Sequence, residues 1–74
     1  MYKYLTVKEK LYHVDLGSYT SYGIECINRE SGTVVAKVSD VSLDKSFVKS
    51  LASRFTRLKL SPIHLQDAVE DALL

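Results

Sequence analysis

The chain changes its apolar period once, after Asp40. Up to that residue, apolar side chains recur at about every second position, the repeat of a strand with one buried face. Beyond it, Phe47, Val48, Leu51, Phe55 and Leu58 fall on one arc at about 100° per residue, the stripe of an amphipathic helix. One switch of period orders the fold, with strands first and helices after. A sheet with one apolar face, followed by two amphipathic helices, buries that face under the helices and leaves the other in water.

Three strands are expected, over residues 2–14, 19–28 and 34–41. In the first, Leu5, Val7 and Leu11 share one face while Tyr4, Thr6, Lys8, Lys10 and Tyr12 share the other. The leucine face is therefore expected to meet the helices. Glu9 falls among the leucines, which suggests a bulge or register break near Lys8–Lys10. Asp15-Leu16-Gly17-Ser18 reads as a turn, with Gly17 able to supply a positive φ. The second strand puts Tyr22, Ile24 and Cys26 on its core face. Gly23 faces the other way, where it weakens the strand or admits the close approach of another group. After the turn Asn28-Arg29-Glu30-Ser31-Gly32, the third strand sets Val34, Ala36 and Val38 opposite Lys37 and Ser39. Short connections make the three an antiparallel meander.

Helices are expected at 44–58 and 62–73. Ser42 or Asp44 caps the first by accepting backbone N–H groups that lack partners inside the helix. Ser61 is the expected N-cap of the second, Pro62 fits its first position, and Leu60 and Leu65 occupy the two ends of a hydrophobic staple. Leu65, Ala68, Val69, Ala72 and Leu73 form its apolar stripe. The chain is thus expected to be one compact α+β domain, residues 1–74, with the order βββαα. Its core should join Phe47, Leu51, Phe55, Leu65 and Val69 to Tyr22 and Ile24.

A chain of 74 residues has no room for a second core and is expected to be marginally stable. A net charge of +1 supplies no global pull toward nucleic acid or anionic membrane, so any electrostatic function must be local. The lone Cys26 excludes an internal disulfide and a cysteine-rich zinc site, and a single thiol suits a reducing compartment. No apolar run approaches the ~20 residues of a membrane span. Met1-Tyr2-Lys3-Tyr4-Leu5 lacks the apolar core of a signal peptide. A cytoplasmic location is expected.

Three segments carry a likeness to a known family: Tyr22-Gly23-Ile24, Val38-Ser39-Asp40-Val41-Ser42, and the run Leu60-Ser61-Pro62-Ile63-His64-Leu65-Gln66-Asp67-Ala68-Val69-Glu70-Asp71. Through them the chain resembles a small uncharacterised family, domain of unknown function 6514, associated with clostridial bacteria and their mobile elements. The resemblance implies a compact bacterial domain and lends it no activity. By analogy, a small domain carried on a mobile element would act as an inhibitor of a host defence enzyme.

Charge is segregated along the helices. Lys45, Lys49, Arg54, Arg57 and Lys59 fall in a stretch without acids, and Asp67, Glu70 and Asp71 in one without Lys or Arg. Glu70 and Asp71 lie near the negative end of their helix, so a nearby cation is called for, and the preceding basic helix is the expected supplier. The basic stretch, with its interspersed serines, is a candidate contact for phosphates; Asp67, Glu70 and Asp71 are candidate acidic contacts. His64, Asp67 and Asp71 share one side of the second helix, but three ligands from a single helix make a poor metal site, and none is assigned. Cys26 is expected in the core, and His13 at its edge with a hydrogen bond.

If the helices cover the leucine face, Tyr4 and Tyr12 lie exposed on the open face of the sheet beside Lys8 and Lys10, a candidate protein interface. No phosphate-binding loop, dinucleotide glycine motif or nucleophile elbow is present. The expectation is a small non-enzymatic interaction module without a cofactor. Its expected partner is a protein, a second copy of the chain among the forms this takes. Nucleic acid, bound through the basic helix 45–59, is the alternative.

Overall fold

The computed structural model describes all 74 residues. Tyr2–His13 (β1) and Gly17–Asn28 (β2) pair antiparallel in unbroken register, from Tyr2 opposite Asn28 to His13 opposite Gly17. A three-residue loop joins them. The Leu16 N–H donates to the His13 carbonyl at 3.1 Å, and Gly17 follows at φ +74°, the left-handed residue this hairpin geometry requires. The break expected near Lys8–Lys10 does not occur, because Glu9 stays in register opposite Ser21.

The irregularity lies in Val34–Ser42 (β3), which pairs with the other side of β2 and completes a sheet of order β1-β2-β3. Its register begins with Ile27 opposite Val34, shifts by one before Cys26 opposite Ala36, and then jumps from Ile24 opposite Val38 to Tyr22 opposite Ser42. Gly23 alone therefore faces Ser39, Asp40 and Val41, and the extra length is taken up by Asp40 at φ +54°. Pairing with β3 reaches only Tyr22–Ile27 of β2. The far half of the hairpin stands clear as a two-stranded ribbon, and the molecule is 40 Å along its longest axis.

Asp44 caps Lys45–Arg57 (α1), its Oδ1 accepting the Phe47 N–H at 3.2 Å. The helix ends at Leu58. Lys59 then takes φ +56°, the Leu60 N–H donates to the Phe55 carbonyl at 3.0 Å, and the Lys59 N–H donates to that of Thr56 at 3.2 Å. This is a Schellman closure with lysine at the position glycine usually holds. The expected second helix divides into a 3-10 turn, Pro62–His64, and Leu65–Ala72 (α2). Ser61 makes no side-chain cap; its carbonyl instead accepts the His64 N–H at 2.9 Å. Both helices lie on the same side of the sheet.

The covered side is the reverse of the expected one. Tyr4 pairs with Cys26 and Thr6 with Ile24, which sets Tyr4 on the core face and turns Leu5, Val7 and Leu11 outward. Tyr4 is only 3% exposed. Its ring meets Phe55 edge-on at 5.8 Å, and its hydroxyl donates to the Leu60 carbonyl at 2.6 Å. A tyrosine with an acceptor in reach buries more apolar area than a leucine and leaves no polar atom stranded. Burial, and then the neighbouring Cys26 and Tyr2, push its phenol above the ordinary value. At the strand edge, the Tyr4 N–H donates to Thr56 Oγ1 at 2.9 Å, binding β1 to α1.

Ile24, Cys26, Val48, Leu51, Phe55, Leu65 and Val69 fill the core as expected, joined by Val41 and Ala52. Tyr22 and Phe47 lie half-buried at its rim. Leu58 and Leu73 leave the apolar stripes because each is the C-cap of its helix; they are 67% and 52% exposed.

Phe55→Ala is expected to cost about 3–5 kcal/mol, enough to unfold much of a domain this small, as a thermal melt would show. Lys59→Gly should act in the opposite direction. Relief of the left-handed strain is expected to add about 1 kcal/mol, read as a higher urea midpoint at unchanged slope.

Candidate functional surfaces

All the exposed side chains of α1 are Lys, Arg or Ser. Lys45, Lys49, Arg54 and Arg57 are the cations, Ser46, Ser50 and Ser53 the hydroxyls, and no ion pair engages any of them. The edge of β1 extends this surface: Lys3 and Lys8 join Lys45 and Lys49 around a groove of about 430 Å³ between strand and helix. Sequence spacing could not supply Lys3 and Lys8, which are brought there by the packing of α1 on β1. Lys59 stands apart. Beyond the Schellman turn it lies against Met1, Tyr2 and Leu60 rather than with the other four.

Asp67, Glu70 and Asp71 are exposed on α2, where Glu70 accepts from Gln66 Nε2 at 3.0 Å. None forms an ion pair with α1, so the expected pairing of basic with acidic helix does not form. The reason is lateral packing. α1 lies on β1 and α2 on β3, and both charged faces turn outward. Arg54 and Asp71 line the same crevice without meeting. His64 falls in the 3-10 turn, where the spacing of 100° per residue that grouped it with Asp67 and Asp71 does not hold; no three metal-binding side chains gather anywhere in the molecule.

The candidate interface of Tyr4, Tyr12, Lys8 and Lys10 is split. Tyr4 is in the core, whereas Lys8 and Lys10 are exposed and Tyr12 is 73% exposed on the free half of the hairpin. At the hairpin's end Tyr12 has two apolar neighbours, Val14 and Leu16, both still more open than half exposed. Their place in a tight loop, where polar residues are usual, was the available signal. His13 is the last residue of β1, exposed beside this loop and not at the core edge; its Nδ1 accepts the Asp15 N–H at 3.1 Å. Cys26 is fully buried, without solvent access.

Sequence reasoning also missed a polar cluster on the uncovered side of the sheet. Glu9 lies over Gly23 and reaches the bulge of β3. Its Oε1 accepts the Asp40 N–H at 2.8 Å, its Oε2 accepts the Ser39 hydroxyl at 2.7 Å, and Lys37 stands 3.5 Å away. Gly23 is required beneath it, since a Cβ there would sit 2.8 Å from Glu9 Oε1 and 2.6 Å from the Val38 carbonyl oxygen. Asp40 in turn accepts from the hydroxyls of Ser21 and Tyr19. That bond, burial, and the nearby carboxylates of Asp40 and Glu9 push the Tyr19 phenol up. Burial would raise the Glu9 carboxyl, but the Asp40 N–H, the Ser39 hydroxyl and the Lys37 ammonium together hold it below its ordinary value.

Because Glu9 titrates lower in the folded than in the unfolded chain, its contribution is complete above the ordinary value of 4.5. It is lost as pH falls through the lowered folded value. Glu9→Gln, which cannot accept from Ser39 and Asp40 together or pair with Lys37, is expected to cost about 1 kcal/mol at neutral pH. Urea midpoints taken down through the carboxylate range should show the two proteins converging in acid; parallel curves would refute the role given to the charge.

No curated protein and no solved structure matches the chain. The family model described as "Family of unknown function (DUF6514)" matches residues 1–74, and the chain belongs to that family.

Proposed function

We propose that this member of the DUF6514 family is a small non-catalytic module that acts by inserting the end of its β1–β2 hairpin into a concave apolar site on a protein partner. One observation carries the reading: Tyr12, Val14 and Leu16 are 73%, 80% and 73% exposed at the end of a ribbon whose register is fixed. Single exposed apolar residues are ordinary, but three within five positions at a projecting tip concentrate apolar surface there. The ladder holds Tyr12, and the Leu16 N–H bond to the His13 carbonyl closes the three-residue loop that carries Val14 and Leu16, which limits the conformational freedom lost on binding. Large apolar anchors on a preorganised support are what dominates binding energy at protein interfaces.

A non-catalytic reading is supported by the use already made of the polar groups. The carboxylates, hydroxyls and lysine around Glu9 are engaged with one another, and the lone thiol is sealed in the core. No helix is long and apolar enough to cross a membrane. Should the partner be an enzyme, as the mobile-element analogy has it, occupancy of its surface would suffice for inhibition.

Combined replacement Tyr12→Ser, Val14→Ser and Leu16→Ser is expected to leave the melting temperature nearly unchanged, since none of the three touches the core. Capture from host lysate with both proteins, compared by quantitative mass spectrometry, should lose at least one partner with the variant. Light scattering across a concentration series covers the case in which that partner is a second copy. Identical captured sets and identical masses would reject the hairpin as the binding element.

A further inference from the structure

α1 carries a second surface, independent of the hairpin. Ser46, Ser50 and Ser53 stand at the i, i+4, i+7 spacing that forms a stripe along one side of a helix. Lys45 and Lys49 flank the stripe on one side and Arg54 on the other, about 180° around the axis from Lys45 at 100° per residue. Short hydroxyls thus occupy the middle for two turns and Lys45, Lys49 and Arg54 the flanks, while Arg57, one turn beyond Ser53, ends the stripe with a cation. Solvated helices usually mix the two signs, whereas α1 has no acid among its exposed residues, and Lys45 stands in the first turn, where the macrodipole disfavours a cation. Lys3 and Lys8 continue the positive surface beyond the Lys45 and Lys49 flank.

We propose that this face seats α1 in the major groove of duplex DNA, with its flanking cations on the phosphate walls and its serines toward the floor. A helix about 10–12 Å across fits a groove about 12 Å wide, and flanking cations meet both walls at once. The 13 residues of α1 span roughly 20 Å, about six base pairs. Every exposed side chain on the face is a hydrogen-bond donor, the flanking cations suited to phosphate oxygens and the serines to base edges. An acidic protein is the poorer fit, because the face exposes no apolar anchor around which an interface core could form. Single strands lack a stacking platform here, since Phe47 and Tyr22 are half-buried. Duplex RNA is excluded by its deep, narrow major groove.

The test is fluorescence anisotropy of the full chain with a labelled mixed-sequence DNA duplex over a salt series. Four to six phosphate contacts give a slope of log K against log salt of about −4 to −5. Lys49→Gln with Arg54→Gln should make that slope shallower by about 2, and Lys45→Gln with Arg57→Gln by about 1 to 2 independently. Lys10→Gln, outside the face, should leave it unchanged. Melting curves establish that each variant is folded. Three results would overturn the proposal: no binding at low salt, slopes unaltered in both folded double variants, or duplex RNA or polyglutamate competing as well as the DNA at equal charge.

Discussion

Tyr4 is the residue on which the arrangement of layers depends. Its ring lies against Phe55 of α1, its hydroxyl donates to the carbonyl of Leu60 in the turn before α2, and its N–H donates to Thr56. One side chain and one peptide group thereby connect the first strand, the long helix and the entry to the short one. The choice of sheet face follows from this. Once Tyr4 points inward, Ile24 and Cys26 must do so too, and Leu5, Val7 and Leu11 must lie on the uncovered face, where they are half-buried. Those aliphatic residues lose burial, yet the alternative would leave the Leu60 carbonyl without a partner and a large ring in solvent.

The opposite side of the sheet has no second layer and is held instead by polar bonds. Glu9 spans the width of the sheet, from β1 over Gly23 of β2 to the bulge of β3. Without a helix above it, the carboxylate keeps enough solvation to stay charged, while the Asp40 N–H and Ser39 hydroxyl it accepts fix the left-handed turn of Asp40. Gly23, Glu9 and Asp40 act as a unit. Each of them is irregular when considered alone: a glycine in a central strand, a charge among leucines, and a positive φ outside a loop.

Element order and most of the element boundaries were legible in the sequence, because period and caps are local properties. Gly17 and Asp44 perform the roles their positions suggested. The covered face of β1 was not legible. Alternation separates two sets of side chains without saying which one meets the helices, and the deciding partners, Thr56 and Leu60, lie more than fifty positions away. The same limit hid the reach of Glu9 and the meeting of Lys3 and Lys8 with α1. Charge segregation between the helices was legible, but not its geometry: side-by-side packing leaves both signs facing outward. Of the five candidate cations, four lie exposed on α1 and Lys59 stands beyond its end. At the hairpin tip, sequence pattern places Val14 at the end of the first strand and Leu16 in the turn, and neither position alone signals the exposure of the pair.

The bulge at Ser39–Asp40 also bears on how copies of this protein avoid one another. A three-stranded sheet has two outer edges, each a row of unpaired backbone groups that another chain can extend. On β1, Thr56 occupies the backbone at Tyr4, and Lys8 and Lys10 make the rest of the margin repulsive to a like strand. On β3 the bulge breaks the row at its middle, and the Asp40 N–H is already taken by Glu9. What remains available for intermolecular β-pairing is the short run Val34–Val38, itself interrupted by a second register shift at Val35. The cluster around Glu9 therefore serves colloidal stability as well as the fold, by denying β3 the length of flat edge from which a fibril would grow.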